Sequence, residues 1–374
     1  MIHFIKTYFW LVVPFILIGS LGVSQQKEKT IQHKIAVKHP GEKEVVTIIL
    51  NQVLDKNGLP TSYYMDVQSV ICLEQVCKVI PVRIFWNTIG DYQKYELEKG
   101  ATLEKYEDEV FASEDYKKLH SVLVNKDSPF KEVYIDEILT VVDEHDEESD
   151  AVSGATALEL DEKDTVPGAA LTCYTLWHWA NGDVVEKIKE ITGKSLTEQQ
   201  LHAFLVAEKP TYFKVVLQEL ARRKMYSQPF INSITKRVLE EESLLKITFN
   251  YLEKAPSNTY FSATEYLFFK GKTAHKLAVI RSLKSIKYTI STPYLDTLSA
   301  EVSKLNSYQE ISSFLDVMQT KNPHSKKVIE NVFPLLSSDF IKARRVYWFL
   351  KNQQLSTKQQ KVLRNFEKEN KASL

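Results

Sequence analysis

The residues best suited to chemistry form one short run, Asp150-Ala151-Val152-Ser153-Gly154-Ala155-Thr156. A threonine hydroxyl is a poor nucleophile, and it needs a base, a metal or an enzyme that supplies both. A segment that accepts a group inside another protein's site must be small and exposed, and the three residues before Thr156 add little bulk. Gly154 also permits a tight turn. The pattern therefore indicates a hydroxyl that another enzyme modifies.

This run resembles the Asp-x-x-Ser-Gly-Ala-Thr flavinylation motif of FMN-binding domains, similar to the flavin-carrying subunits of sodium-pumping NADH:quinone oxidoreductase and Rnf complexes. All five specified positions agree. The resemblance implies that a flavin transferase moves FMN from FAD onto Thr156 through a phosphoester bond, and that the flavin then relays electrons. Asp150, Ser153, Gly154 and Ala155 would be the surroundings that the transferase reads. Leu158 departs from the family, whose members usually carry Thr or Ser there.

Aromatic residues downstream of the motif are candidates for the surface on which the flavin ring would stack. Tyr174 and Trp177, with Trp179 beside them, lie in an apolar segment that the sequence predicts to be helical. The alternative is that Leu-Trp-His-Trp on a helix is core packing. Both interpretations remain open at the level of sequence.

The three cysteines suggest one disulfide and one free thiol. Cys72 and Cys77 are separated by four residues between two strand-like runs, so a disulfide across a hairpin is the favoured interpretation, with metal ligation as the weaker alternative. Cys173 lies in an apolar segment and is predicted to be a buried free thiol. No second Cys pair or His pair has zinc spacing.

Other catalytic classes have little support. Ser153, His178 and Asp150 supply the residue types of a hydrolase triad, but the Gly-x-Ser-x-Gly nucleophile turn is missing. A Gly-rich dinucleotide loop is also missing from the sequence, so NAD binding is not expected.

The net charge of +0 conceals an asymmetry between the two halves of the chain. Residues 1–183 contain 17 Lys and Arg against 30 Asp and Glu, whereas residues 184–374 contain 31 against 18. This distribution disfavours a uniformly basic nucleic-acid binder and favours two units with opposite fields. The acidic flank around the motif carries ten Asp and Glu between Asp143 and Asp164.

The N-terminus predicts export to the periplasm or the extracellular space. Residues 8–23 form an apolar run that is short for a bilayer span, and a polar segment follows from Gln25. We expect residues 1–24 to be a signal peptide, with a retained N-terminal anchor as the alternative, and residues 25–43 to be a linker.

The remaining chain predicts an α+β FMN-binding-like domain over residues 44–183 and an all-α helical-repeat domain, HEAT- or armadillo-like, over residues 184–374. Strand-like runs cover residues 45–50, 63–71, 78–86 and 134–142, and helices are expected at 112–120 and 167–179. Beyond residue 183 the apolar period changes to that of helices, and several helices are expected to begin near a proline. These are Pro210, Pro229, Pro256, Pro293 and Pro323.

Together these features predict an exported redox carrier with covalent FMN, whose partners are a flavin transferase and redox proteins, within a candidate membrane-associated complex. Such a protein is a substrate of the transferase and not itself a catalyst. The alternative is an extracytoplasmic scaffold, in which a degenerate flavin domain supports a partner-binding helical repeat. The flavin absorption band and the mass of the intact chain distinguish the carrier from the scaffold.

Overall fold

The computed structural model describes residues 29–70, 79–105, 108–135, 137–138 and 163–374. Its N-terminal part is a five-stranded antiparallel sheet in which each strand pairs with the next along the chain. The strands are β1 (Lys29–Val37), β2 (Val46–Leu54), β3 (Pro60–Gln68), β4 (Pro81–Asn87) and β5 (Tyr92–Leu97). Short connections are sufficient for this order, because neighbouring antiparallel strands need only a turn between them.

The first strand lies within the segment 25–43, which the sequence predicts to be a linker. β1 pairs with β2 along its whole length, from Lys29 opposite Leu54 to Val37 opposite Val46. Ile35 and Val37 are buried, while Ala36 between them faces solvent. An edge strand with one solvent-exposed face carries many polar residues, so its sequence resembles that of a linker more than that of a buried strand.

Two helices cover the sheet: α1 (Ser113–Val124) and α2 (Ala170–Asn181). Trp86, Tyr63 and Leu119 are fully buried in the core between these layers. The helix expected at 112–120 is confirmed. Ala112 is its N-cap, and the Asp115 carboxylate accepts a hydrogen bond from the Ala112 N–H at 2.8 Å.

The strand expected over residues 134–142 is wrong where the structure describes it. The Glu137 N–H donates to the Tyr134 carbonyl at 3.2 Å, and residues 135 and 137–138 are helical. Apolar residues in so short a run are compatible with the period of a strand or with that of a helix, and these residues form a helix.

Including α2, thirteen helices lie between Ala170 and Glu369. Those after α2 are α3 (Asp183–Ser195), α4 (Glu198–Leu205), α5 (Pro210–Arg223), α6 (Gln228–Glu240), α7 (Leu245–Leu252), α8 (Ser257–Lys270), α9 (Thr273–Ser285), α10 (Thr292–Ser299), α11 (Tyr308–Lys321), α12 (Lys326–Val332), α13 (Phe340–Lys351) and α14 (Thr357–Glu369). Within the described residues, no helix combines the length and apolar character needed to cross a bilayer.

These helices stack in two layers. From α3 to α13, each helix packs on the helix two positions along the chain. The odd-numbered helices therefore form one layer, and the even-numbered helices from α4 to α12 form the other. The helical period expected beyond residue 183 is confirmed: α5, α6 and α11 each bury an apolar face, and Pro210, Pro229 and Pro293 lie in the first turns of their helices. Proline suits this position because the first N–H groups of a helix have no partner within it.

Helix α3 joins the sheet to the helical stack. Val184 and Ile188 are buried in the core of the sheet, and the same helix packs against α5. The Tyr63 hydroxyl lies 2.7 Å from Thr192 Oγ1, which also hydrogen bonds to the Thr88 carbonyl at 2.7 Å. The predicted boundary at residue 183 therefore lies at the start of a helix that belongs to the core of the sheet and also packs against the helical stack.

Gly90 in the β4–β5 turn allows close approach to α3, and Gly90→Ala tests that contact. Gly90 has φ +80°, and an added Cβ would lie 2.7 Å from Val185 Cγ1 and 3.1 Å from the Val185 carbonyl oxygen. We expect a loss of about 2 to 3 kcal/mol in the free energy of unfolding, measured by urea titration.

Gly58→Ala is the matched control. Its φ is +75°, but nothing lies within 4 Å of the added Cβ, so only the backbone cost of about 1 kcal/mol is expected. Equal losses in the two variants would contradict the predicted clash with α3.

Candidate functional site

The predicted acceptor residues Asp150, Ser153, Gly154, Ala155 and Thr156 lie outside the described residues, as do Cys72 and Cys77. The structure does describe the two flanks of the acceptor segment. Ile138 on one side and Val166 on the other are both buried in the core of the sheet and its helices. The two described flanks of residues 139–162 therefore belong to one core.

Tyr174 and Trp177, the candidates for flavin stacking, are buried on α2. Their exposed fractions are 0% and 3%. The Tyr174 ring packs edge-on against His178, with centroids 4.4 Å apart, and the Trp177 Nε1–H donates to the Asn125 carbonyl at 2.7 Å. A flavin ring could stack on either one only if these contacts opened, so the described residues do not by themselves form a flavin site.

A buried histidine pair lies beside these aromatic residues. His39, which follows β1, accepts a hydrogen bond from the Gly41 N–H at 3.1 Å on Nδ1, and its Nε2–H donates to the Thr175 carbonyl at 3.0 Å. This pattern requires the neutral ring with its proton on Nε2. The His39 ring centroid is 5.6 Å from that of His178 and 4.5 Å from that of Trp179. We call His39, Thr175, His178 and Trp179 the histidine cluster.

Three side-chain atoms of the histidine cluster are buried and have no hydrogen-bond partner among the described residues: Thr175 Oγ1, His178 Nε2 and Trp179 Nε1. They belong to residues spaced three and four apart, so they share one face of α2. Buried polar atoms are nearly always paired in folded proteins, and exceptions concentrate where a structure has a role beyond packing. This concentration makes the histidine cluster the strongest candidate site among the described side chains.

The electrostatics of the pair keep both imidazoles neutral near pH 7. Burial lowers the pKa of His39 to about 4, with a hydrogen bond to the Thr175 backbone acting in the opposite direction. Burial likewise lowers the pKa of His178 to about 4; the neighbouring His39 adds to this, and the Phe130 backbone opposes it. The cluster can therefore donate and accept hydrogen bonds, but it resists protonation.

No sequence pattern points to His39, because a lone histidine before Pro40 and Gly41 has no motif and the strand before it has a weak signal. His178 stands out in the sequence only by its residue type. The signal lies in the tertiary pairing of a loop with a helix well over a hundred residues later, so it is available only from the fold.

Other chemistry is limited in the described part of the chain. No group of three or more His, Cys, Asp or Glu there is arranged to hold a metal ion. Cys173 is a buried free thiol, as predicted, and burial raises its pKa to about 11. A shallow groove of about 350 Å³ lies between α5 and α7, with Leu217 and Ile247 in its wall and Arg222 and Lys254 beside them.

Comparisons of the whole chain with protein-family models, with curated proteins and with solved structures found no match.

Proposed function

We propose that this protein is a redox carrier with FMN attached to Thr156 through a phosphoester bond, and that it is flavinylated by a separate transferase. The observation that carries the proposal is the unbroken Asp-x-x-Ser-Gly-Ala-Thr sequence of residues 150–156. The flavin would supply electron transfer, and the chain would supply the attachment hydroxyl and a folded support. The apolar run at residues 8–23 supports export, by a signal peptide or a retained anchor.

The described structure supports this proposal by the way the acceptor segment is anchored. Because Ile138 and Val166 are both buried in one core, both ends of the motif-bearing segment are tethered to the same folded unit. A group attached between two flanks of one core would stay close to that core. The ten acidic residues in and around it would disfavour anionic reduced flavin and so lower its potential.

In this proposal the helical part is a docking module of the HEAT or armadillo kind. Its support is the two-layer order from α3 to α13, in which each helix packs on the one two positions along. Stacked helical hairpins create long continuous surfaces that suit protein partners. Electron transfer needs close approach of a redox partner more than a substrate pocket, which fits a carrier joined to a docking module.

Intact mass after coexpression with a flavin transferase tests the attachment. We expect a mass gain equal to one FMN minus water and a flavin absorption band that remains after denaturation. Thr156→Ala should lose both completely, because no other hydroxyl occupies the acceptor position. Ser149→Ala removes a hydroxyl just outside the motif and is the matched control, with full flavinylation expected. An unchanged mass gain in Thr156→Ala would refute the assignment.

The second candidate is an extracytoplasmic scaffold that carries no flavin. It is favoured by one observation: the Tyr174 and Trp177 rings are buried against neighbouring side chains. Folded protein that stays colourless and unmodified in the presence of an active transferase would support the scaffold.

A further inference from the structure

Helix α13, near the C-terminal end of the stack, exposes one arc of aromatic, aliphatic and basic side chains. Ile341 is 57% exposed and Trp348 is 43% exposed, and both lie on the same side as Phe340, Arg344 and Lys351. At about 100° per residue, these five positions fall within roughly 100° of the helix circumference. We call them the α13 arc.

The opposite side of α13 is its packing face. Val346, Phe349 and Leu350 are buried in the core of the helical stack. The orientation of the helix is therefore set by these residues, and the α13 arc is left facing away from the stack. The last elements of a helical stack normally carry a polar outer face, which keeps them soluble. A tryptophan and an isoleucine on that face indicate contact with something else.

Cationic groups are interleaved with the apolar ones. The Arg344 guanidinium lies 5.8 Å from the Phe340 ring centroid, and the Lys351 ammonium lies 5.2 Å from the Trp348 ring centroid. Residues 340–371 contain nine Lys and Arg against two acidic side chains. Lys342, Arg345 and Lys351 have carboxylate partners, whereas Lys358, Lys361 and Arg364 form no ion pair with any described residue.

We propose that the α13 arc, with the basic residues of α14, binds the surface of an anionic lipid bilayer. Tryptophan, phenylalanine and isoleucine beside lysine and arginine suit the boundary between headgroups and acyl chains, where the rings insert and the cations meet lipid phosphates. The arc is the outer side of a helix, not a groove, so it fits an extended surface better than a peptide. This inference is independent of the flavin assignment.

Vesicle co-sedimentation tests the proposal, with all chains beginning at Gln25 so that the apolar run at residues 8–23 is absent from every arm. We expect binding to vesicles of phosphatidylcholine mixed with phosphatidylglycerol, weak binding to phosphatidylcholine alone, and a decline with added salt. Ile341→Ser with Trp348→Ser should weaken binding on the order of tenfold. Arg344→Gln should weaken it about fivefold, which is typical of one cation near an anionic surface.

Tyr266→Ser with Arg281→Gln is the matched control, because both side chains are exposed on other helices: Tyr266 on α8 is 45% exposed, slightly more than Trp348, and Arg281 lies on α9. This control should bind as the parent chain does, and circular dichroism should show that all variants are folded. Equal binding to the two kinds of vesicle, or equal loss in the control, would overturn the proposal. Unchanged binding by the Ile341 and Trp348 variant, together with competition by soluble polyglutamate, would instead indicate an acidic protein segment as the partner.

Discussion

Lowering the pH from 7 to about 5 is expected to reduce the free energy of unfolding by about 2 kcal/mol for each of His39 and His178. Both have a pKa of about 4 in the folded chain against an ordinary value of 6.5. The unfolded chain therefore binds more protons between these values, so stability falls as the pH decreases through that window. The effect fades as the pH rises through 6.5 and vanishes well above it, where both states hold neutral rings.

Urea titrations at several pH values measure this loss, and single variants assign it. His178→Gln should flatten the profile by about half while lowering stability at pH 7, because it removes a buried ring. Leu201→Ala, which truncates a buried side chain of the helical part and removes no titratable group, is the control; it should lower stability at every pH and leave the slope unchanged. A parent profile that is flat between pH 7 and 5 would contradict the burial of the pair.

Carboxylates do not produce the same signature. Burial raises the pKa of Asp91, but hydrogen bonds from Lys126 and Asn87 outweigh it, and the net pKa lies below the ordinary value of 3.8. The stability that such a group contributes is present above its unfolded pKa and is lost only as the pH falls further. We therefore assign the loss of unfolding free energy between pH 6.5 and 5 to the two buried histidines.

Replacing Glu219 by Ala is expected to cost about 1.5 to 3 kcal/mol, since it removes a buried carboxylate that accepts charge-assisted hydrogen bonds from two arginines. The Glu219 side chain is 4% exposed. It accepts hydrogen bonds from Arg222 Nε at 2.8 Å and from Arg223. Arg223 in turn donates through Nη2 to the Gly193 carbonyl at 3.1 Å and the Leu196 carbonyl at 2.8 Å.

This network anchors the C-terminal end of α3, the helix shared by the sheet and the stack. The expected consequences of Glu219→Ala are a lower urea midpoint and faster proteolysis near Thr197, because Arg223 would lose the carboxylate that orients it. Glu190→Gln is the matched control: Glu190 pairs with Lys194 on the same helix but is 52% exposed, so a change within about 0.5 kcal/mol is expected. Equal effects of the two variants would show that the buried network does not stabilise this junction.

Helix periodicity was the most informative part of the sequence. The apolar stripes of α5, α6 and α11 and the prolines at helix starts follow from local rules, and the structure agrees with them. The strand β1 has a weak sequence signal because an edge strand exposes half of its residues. The strand expected from residue 134 is wrong because a short apolar run fits both the strand period and the helix period. Local pattern therefore predicts elements with two distinct faces better than it predicts edges.

Residue types and spacing are enough to reveal the Asp-x-x-Ser-Gly-Ala-Thr run at residues 150–156, the change from strand to helix periodicity and the opposite charges of the two halves. The fold was needed to show that His39 meets His178, that α3 packs against both the sheet and the helical stack, and that Trp348 faces outward. Each of these depends on which distant elements pack together, and packing is set by the summed burial of many side chains. No single local pattern encodes that sum.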